Sequence, residues 1–252
     1  MTADLYLDLL KRTLCGMTWE DPHILTDWDQ DPEYSLDKRV NGLDWPQHAH
    51  TMIGLARMEH LQQCVETVLA EGVPGDFIET GVWRGGACIL MRGVLQACGV
   101  IDRAVWVADS FQGLPEEAFT VEGYGHDQAH LAVTLEQVRR NFSLYGLLDD
   151  QVKFLPGWFA DTLPAADVGQ LAILRLDGDL YSSTTDTLNC LYPKLAPGGF
   201  VIVDDWILPY CRKAVEDYRD RHDITEPVMP VPGSKRGELH DIAVFWRKRA
   251  AR

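Results

Sequence analysis

The chain has 252 residues, a formal net charge of −15 and 46% hydrophobic residues, enough to bury the core of one large α/β domain. The acidic excess opposes a nucleic-acid partner, whose phosphates call for Lys/Arg patches, and it opposes an anionic membrane surface as well; its main use is solubility. No apolar run approaches the roughly 20 residues that span a bilayer and no basic segment leads into an apolar stretch near Met1, so the expectation is a cytoplasmic protein with no membrane partner.

Cys15, Cys64, Cys88, Cys98, Cys190 and Cys211 are scattered with no C-x-x-C pair, several of them among apolar residues. Reduced core thiols are expected, with neither a disulfide framework nor a zinc site. No Ser/Gly/Pro-rich linker divides the sequence. One domain is expected over 1–252, comprising an N-terminal extension (1–73) and an α/β core (74–252). The oligomeric state is left open, a homo-oligomer included.

In chain order, Leu5, Leu9 and Leu10 have helical spacing within 4–14. Residues 16–46 are polar, aromatic and punctuated by proline, with no sustained period, and read as a long loop, uncommon inside a compact domain unless functional or disordered. Met52, Leu55, Met58, Leu61, Val65 and Leu69 then recur at three and four residues, and Gly72 and Pro74 supply a stop, so a helix is expected over 51–69. From there strands and helices alternate. Strands are expected at 75–79, 104–108, 152–155, 171–176, 199–204 and 241–246, and helices at 86–97, 134–145, 183–194 and 209–222. Strands joined through helices imply right-handed crossovers and a doubly wound, mostly parallel sheet, a Rossmann-like α/β fold. Ligands in such sheets bind beyond the carboxyl ends of the strands, where the strand order switches.

The run DFIETGVWRGGAC, residues 76–88, carries the most information about that end of the sheet. Phe77 and Ile78 end an apolar strand, Glu79 stands at its tip with Thr80, and Gly81, Gly85 and Gly86 lead into a helix. Glycine is needed where backbone adopts positive φ or lets a ligand lie against it. A dinucleotide site would read G-x-G-x-x-G and seat a pyrophosphate on the helix N-terminus. Here a carboxylate precedes a single glycine, which suits a cofactor with a cationic amino-acid tail and no phosphate. Asp109, at the tip of the second strand, is placed to accept from a ribose diol, with Ser110, Phe111 and Gln112 bordering the same pocket. Gly157, Trp158 and Phe159 follow the third strand and are candidates to face an adenine ring.

The fourth strand ends in DGDLYSST, with Asp177 at its tip and Asp179 two residues on; the fifth ends in Asp204-Asp205. Three or four carboxylates in one cleft repel unless a cation lies among them. Oxygen ligands without His or Cys indicate a hard cation such as Mg2+. His48, His50, His126 and His130 rank lower as catalytic groups and are solvated or substrate-facing candidates.

The segments EDP (20–22), DWPQHAHTMIG (44–54), PGDFIETGVWRGGACI (74–89), VWVADSFQGLP (105–115), YGLLDD (145–150), LRLDGDLY (174–181) and PGGFVIVDDW (197–206) resemble the macrocin O-methyltransferase (TylF-like) family over nearly the whole chain. That resemblance implies an S-adenosylmethionine (SAM) and magnesium-dependent enzyme methylating a deoxysugar hydroxyl on a small-molecule glycosylated natural product. It implies that Asp177, Asp204 and Asp205 are metal ligands and that Asp177 is also the general base. It further implies cofactor contacts at Glu79, Thr80, Gly81, Asp109 and Ser110, with Thr51 reaching the methionine end. Residue 45 is Trp where related chains often have Tyr, and 116–133 is this chain's own sequence. Acceptor choice is therefore expected in the irregular segments 28–50 and 116–133, where Trp45, Tyr124 and His126 are the candidate substrate contacts. A catechol-type methyltransferase is the rival within enzymes, because a diol–metal mechanism serves a phenol equally well.

Overall fold

A computed structural model describes residues 2–26, 30–116, 118, 130–236 and 240–249. Helix α1 (Thr2–Leu14) buries Leu7, Leu10 and Leu14, a one-sided helical stripe. Leu5 and Leu9, which the sequence spacing puts on the packed face, are exposed. The expected loop at 16–46 contains a six-residue helix, α2 (Leu36–Asn41), begun by Ser35, whose hydroxyl accepts from Lys38 N–H, and closed by left-handed Gly42. Its Arg39 is buried, pairs with Asp44 at 2.8 Å and donates to the carbonyls of Cys15 (2.7 Å) and Asp21 (2.8 Å). An irregular segment thereby acquires a fixed course. Helix α3 (Gly54–Ala70) starts three residues beyond the expected Thr51, whose hydroxyl instead accepts from Ile53 N–H at 3.3 Å.

The core then alternates β1 (Asp76–Thr80), α4 (Gly86–Ala97), β2 (Val105–Asp109), α5 (Leu135–Leu144), β3 (Val152–Pro156), α6 (Phe159–Thr162), β4 (Leu171–Leu176), α7 (Tyr181–Leu191), β5 (Leu195–Val203) and α8 (Pro209–Arg221). Short strands β6 (Met229–Pro230), β7 (Lys235–Arg236), β8 (His240–Asp241) and the longer β9 (Val244–Arg247) follow. The main sheet has seven strands in the order β3-β2-β1-β4-β5-β9-β6. Strands β1 to β5 are parallel, β9 is antiparallel to β5, and β6 is antiparallel to β9. This is the doubly wound, Rossmann-like arrangement expected. β5 begins four residues earlier than the sequence suggests. Its register jumps from Leu171↔Leu195 to Ile173↔Phe200, so Pro197, Gly198 and Gly199 bulge out of the ladder they seemed to precede.

Strand alternation divides the core into two layers. Phe77, Val105, Val107, Ile173 and Ile202 pack under α1, α3, α4 and α5. Ile78, Ala108, Leu174, Leu176 and Val201 pack under α7 and α8. The same parity carries Glu79, Arg175, Asp177 and Asp204 toward the α3–α4 layer at the tips of three neighbouring strands. All six cysteines are free, with Cys15, Cys64, Cys88 and Cys211 buried. Among the described residues, no helix is long and apolar enough to cross a membrane.

Candidate active site

The strand order switches between the parallel neighbours β1 and β4, and a cleft of about 470 Å³ opens beyond their carboxyl ends. One side is the glycine turn after β1. Gly81 has φ +86°, and a β-carbon there would overlap the carbonyl oxygen of Asp177, so the tips of β1 and β4 touch only because this residue has no side chain. A β-carbon on Gly86 would overlap the His50 carbonyl, to which its own N–H donates at 2.9 Å. The same carbonyl-rich segment is held by Arg84, which donates to Pro46 (3.1 Å) and Ala49 (2.8 Å), while Asp21 accepts from the N–H groups of His48 and Ala49 at 2.7 Å each. Trp83 and Asp179, both non-glycine residues at positive φ, border this cleft. Local strain is thus concentrated around it.

Thr51, Glu79, Gly81, Asp109, Ser110, Trp158, Phe159, Asp177, Asp204, Asp205 and Trp45 line the cleft, which brings most of the sequence-predicted site together. Three candidate cofactor residues point elsewhere. Thr80 alternates to the opposite face of β1, where its hydroxyl accepts from Thr187 at 3.3 Å. Gln112 folds back on its own turn, with its N–H donating to the Ser110 hydroxyl at 3.0 Å. Gly157 contributes backbone, its N–H donating to the Asp109 carbonyl at 2.9 Å. Tyr124 and His126 lie outside the described residues. His50 is turned toward the Tyr145 hydroxyl at 2.7 Å, and burial, aided by the Arg84 charge, pushes its pKa down to about 4.

Asp109 accepts from the N–H groups of Val82 and Phe111, each at 2.7 Å, which fastens the tip of β2 to the glycine turn. Burial raises its pKa, and these amide donors oppose that rise. A carboxylate has about four lone-pair sites, so acceptor capacity remains on the cleft side.

The electrostatic centre is a residue the sequence reading passed over. Arg175, fully buried in β4, donates through one guanidinium nitrogen to both Glu79 and Asp177 (2.5 Å to the latter) and through another to Asp204. Asp204 also accepts from Arg57 of α3. Glu79 receives the Cys88 thiol at 2.9 Å on its second oxygen. The candidate cofactor acid and two candidate metal ligands therefore share one internal cation. The signal was present: an arginine inside the apolar run LAILRL has no place in a buried strand unless carboxylates meet it.

Asp177, Asp204 and Asp205 present oxygens within 4.8 Å of one another. Burial raises Asp177, with Arg175 opposing it, and raises Asp205 well above the usual range, reinforced by the charges of Asp179, Asp177 and Asp204. Burial and mutual repulsion thus oppose the charged forms of Asp177 and Asp205. An all-carboxylate donor set that favours neutralisation fits a hard divalent ion. Asp179 contributes its backbone N–H to Asp205 at 3.0 Å.

The macrocin O-methyltransferase (TylF) family model matches residues 3–248. A 4'-O-methyltransferase of 8-demethyl-8-(2,3-dimethoxy-alpha-L-rhamnosyl)-tetracenomycin C from Streptomyces olivaceus is 55% identical, covering 98% of this chain and 94% of the relative. Demethyldecarbamoylnovobiocin O-methyltransferase from Streptomyces niveus is 53% identical, also covering 98% of this chain and 94% of the relative. The solved O-methyltransferase NovP superimposes with a TM-score of 0.88 at 49% identity, covering 98% of this chain and 100% of NovP. The cleft beyond β1 and β4, its glycine turn and these likenesses agree: the chain belongs to the TylF macrocin O-methyltransferase family and is a SAM-dependent O-methyltransferase.

Proposed function

We propose that the enzyme methylates a hydroxyl of a deoxysugar carried by a glycosylated natural product, with Mg2+ held by Asp177, Asp204 and Asp205. The observation that carries this reading is the convergence of those three carboxylates beside the cofactor turn, in contact through Gly81. The tetracenomycin relative is named for a rhamnosyl acceptor, which supports a sugar here.

A sugar hydroxyl is almost un-ionised at neutral pH, so the site has to make its oxygen nucleophilic. A bound divalent cation supplies Lewis acidity that lowers the hydroxyl pKa and stabilises developing negative charge. The residues of the chain do the rest. Glu79 would hold the cationic amino-acid end of SAM and Asp109 its ribose. Asp177 takes the proton as the methyl group passes from sulfonium sulfur to oxygen, leaving S-adenosylhomocysteine. Trp45, Met52, Ile53 and Leu114 line the cleft and exclude water, so that the acceptor meets the methyl group in a fixed orientation.

The test is turnover of a panel of desmethyl glycosylated antibiotics and simple catechols, with products identified by mass spectrometry. EDTA should abolish methylation and restored Mg2+ should recover it, while SAM affinity changes by no more than a few-fold. Full activity after exhaustive metal removal overturns the metal reading. Turnover of catechols without any sugar acceptor overturns the acceptor reading.

Trp45 offers a second measurement. Its ring borders the cleft, and its backbone is fixed by Ile24 N–H donating to its carbonyl at 2.7 Å. Trp45→Ala should raise the acceptor KM about tenfold, the scale of one aromatic contact of about 1.4 kcal/mol, and leave SAM affinity within about twofold. An unchanged KM places the acceptor elsewhere.

A further inference from the structure

Resting on the reading above that Glu79 holds the cationic amino-acid end of SAM, we infer that Cys88 is a positioning residue for the cofactor, its thiol fixing how the Glu79 carboxylate meets that ammonium. Glu79 lines the cleft, whereas Cys88 stands behind it, fully buried in the first turn of α4. The Cys88 thiol donates to Oε2 of Glu79 at 2.9 Å, and Arg175 donates to Oε1.

One donor on each oxygen is what orients the group. Arg175 spreads its guanidinium over Glu79, Asp177 and Asp204 and grips Glu79 by a single oxygen, so by itself it lets the carboxyl turn about that oxygen. The thiol on the other oxygen removes this freedom. A carboxylate has about four lone-pair sites, and with one on each oxygen committed to the interior, the others remain for a ligand in the cleft.

The donor is itself fixed. The start of α4 is anchored where the Gly86 N–H donates to the His50 carbonyl at 2.9 Å, and Cys88 has no exposed surface. Burial, reinforced by the Glu79 charge, pushes the thiol pKa well above its usual value, so the sulfur keeps its proton and donates. A hydrogen bond to a carboxylate favours its ionised form, which is the form that attracts an ammonium. Deleting the thiol leaves a buried oxygen without its donor and the group free to turn. Both effects weaken the hold on the ammonium and leave the rest of the cofactor untouched.

The experiment is calorimetric titration of the full chain, without acceptor, with S-adenosylhomocysteine and with its analogue carrying hydrogen in place of the α-amino group. Wild type, Cys88→Ala, Cys88→Val, Cys88→Ser and Glu79→Gln are compared. The wild type should prefer S-adenosylhomocysteine by at least about tenfold, the scale of a hydrogen bond to a charged group. Cys88→Ala and Cys88→Val should reduce that preference at least about fivefold, with the analogue still bound within about twofold of wild type. Cys88→Ser, whose hydroxyl still donates, should keep the preference within about twofold of wild type. A disturbance of packing alone would weaken both ligands alike. Equal weakening of the two, an unchanged preference in Cys88→Ala and Cys88→Val, or a preference lost in Cys88→Ser as well overturns the inference. So does failure of both Cys88→Ala and Cys88→Val to fold, which would show that the thiol serves the fold rather than the cofactor. Glu79→Gln separates this inference from the reading beneath it. A preference lost in Glu79→Gln but kept in the Cys88 variants rejects the role of Cys88 alone, whereas one that Glu79→Gln leaves intact rejects the Glu79 contact and the inference with it.

Discussion

Asp177→Asn should lower kcat by at least ~10²-fold, the scale of general-base loss, while Asp179→Asn should lower it less than about fivefold. Asp177 is in the cleft at the tip of β4, with Oδ2 held by Arg175 at 2.5 Å. Asparagine keeps its size but removes the proton acceptor and a ligand oxygen. Asp179 acts differently, because what it gives the site is a backbone N–H to Asp205, and that bond survives the substitution. Its φ of +59° is also a conformation that asparagine tolerates. The readout is kcat at saturating acceptor and Mg2+, with SAM binding measured separately to show that both variants are folded. Equal losses at the two positions would mean that the proton leaves by another route and that the metal lies closer to Asp179.

Arg175→Met should destabilise the fold by about 3–5 kcal/mol, the range for stripping one partner from a buried ion pair. In a chain of this size that is a fall in Tm on the order of 10 °C. Glu79 and Asp204 are 1% and 3% exposed, so their charges would be left in a low-dielectric interior without this partner. The effect has a pH signature. Burial already raises the Glu79 pKa in the native enzyme, with Arg175 opposing it. A carboxyl whose folded pKa lies above its unfolded one binds more protons when folded, so stability increases as pH falls through that interval. Removing Arg175 widens the interval upward. The deficit of the variant relative to wild type should therefore be larger at pH 8 than at pH 6, as read by thermal melts in EDTA. A deficit under about 1 kcal/mol, or one equal at both pH values, would show that the network is not holding the strand tips together.

The parallel strands were legible to within a residue at their starts, except β5, because each is a short apolar run bounded by glycine, proline or a carboxylate. The exceptions have local causes. The Pro197-Gly198-Gly199 turn signal marked a bulge within β5 rather than its beginning. The strands β6, β7 and β8 have two residues each, too few to show an alternation. Helix α2 is a single turn and a half whose buried residue is Arg39, so no hydrophobic period reveals it, although Ser35 and Gly42 mark its ends. At the site, acids after each strand could be found by position, and Asp177, Asp204 and Asp205 do converge. Thr80 beside Glu79 could have been placed by parity alone, since neighbours on a strand face opposite layers. Arg175 and Arg57 went unread because attention to acids at strand ends overlooks the bases two residues inside them or on a helix far away in sequence.

The way residues 46–51 are held has a consequence for how members of such a family diverge. Arg84, Gly86 and Asp21 grip that segment through its main-chain carbonyls and amides, and those bonds are indifferent to which side chains the segment bears. Trp45, which lines the cleft at the edge of that segment, and the exposed Gln47 and His48 on it can mutate while the ribbon keeps its seat beside the cofactor turn. Novelty in acceptor recognition is thereby separated from the inheritance of the catalytic frame. A library randomised at those three positions, with Asp21, Arg84 and Gly86 left intact, would sample new acceptors from a population that still folds.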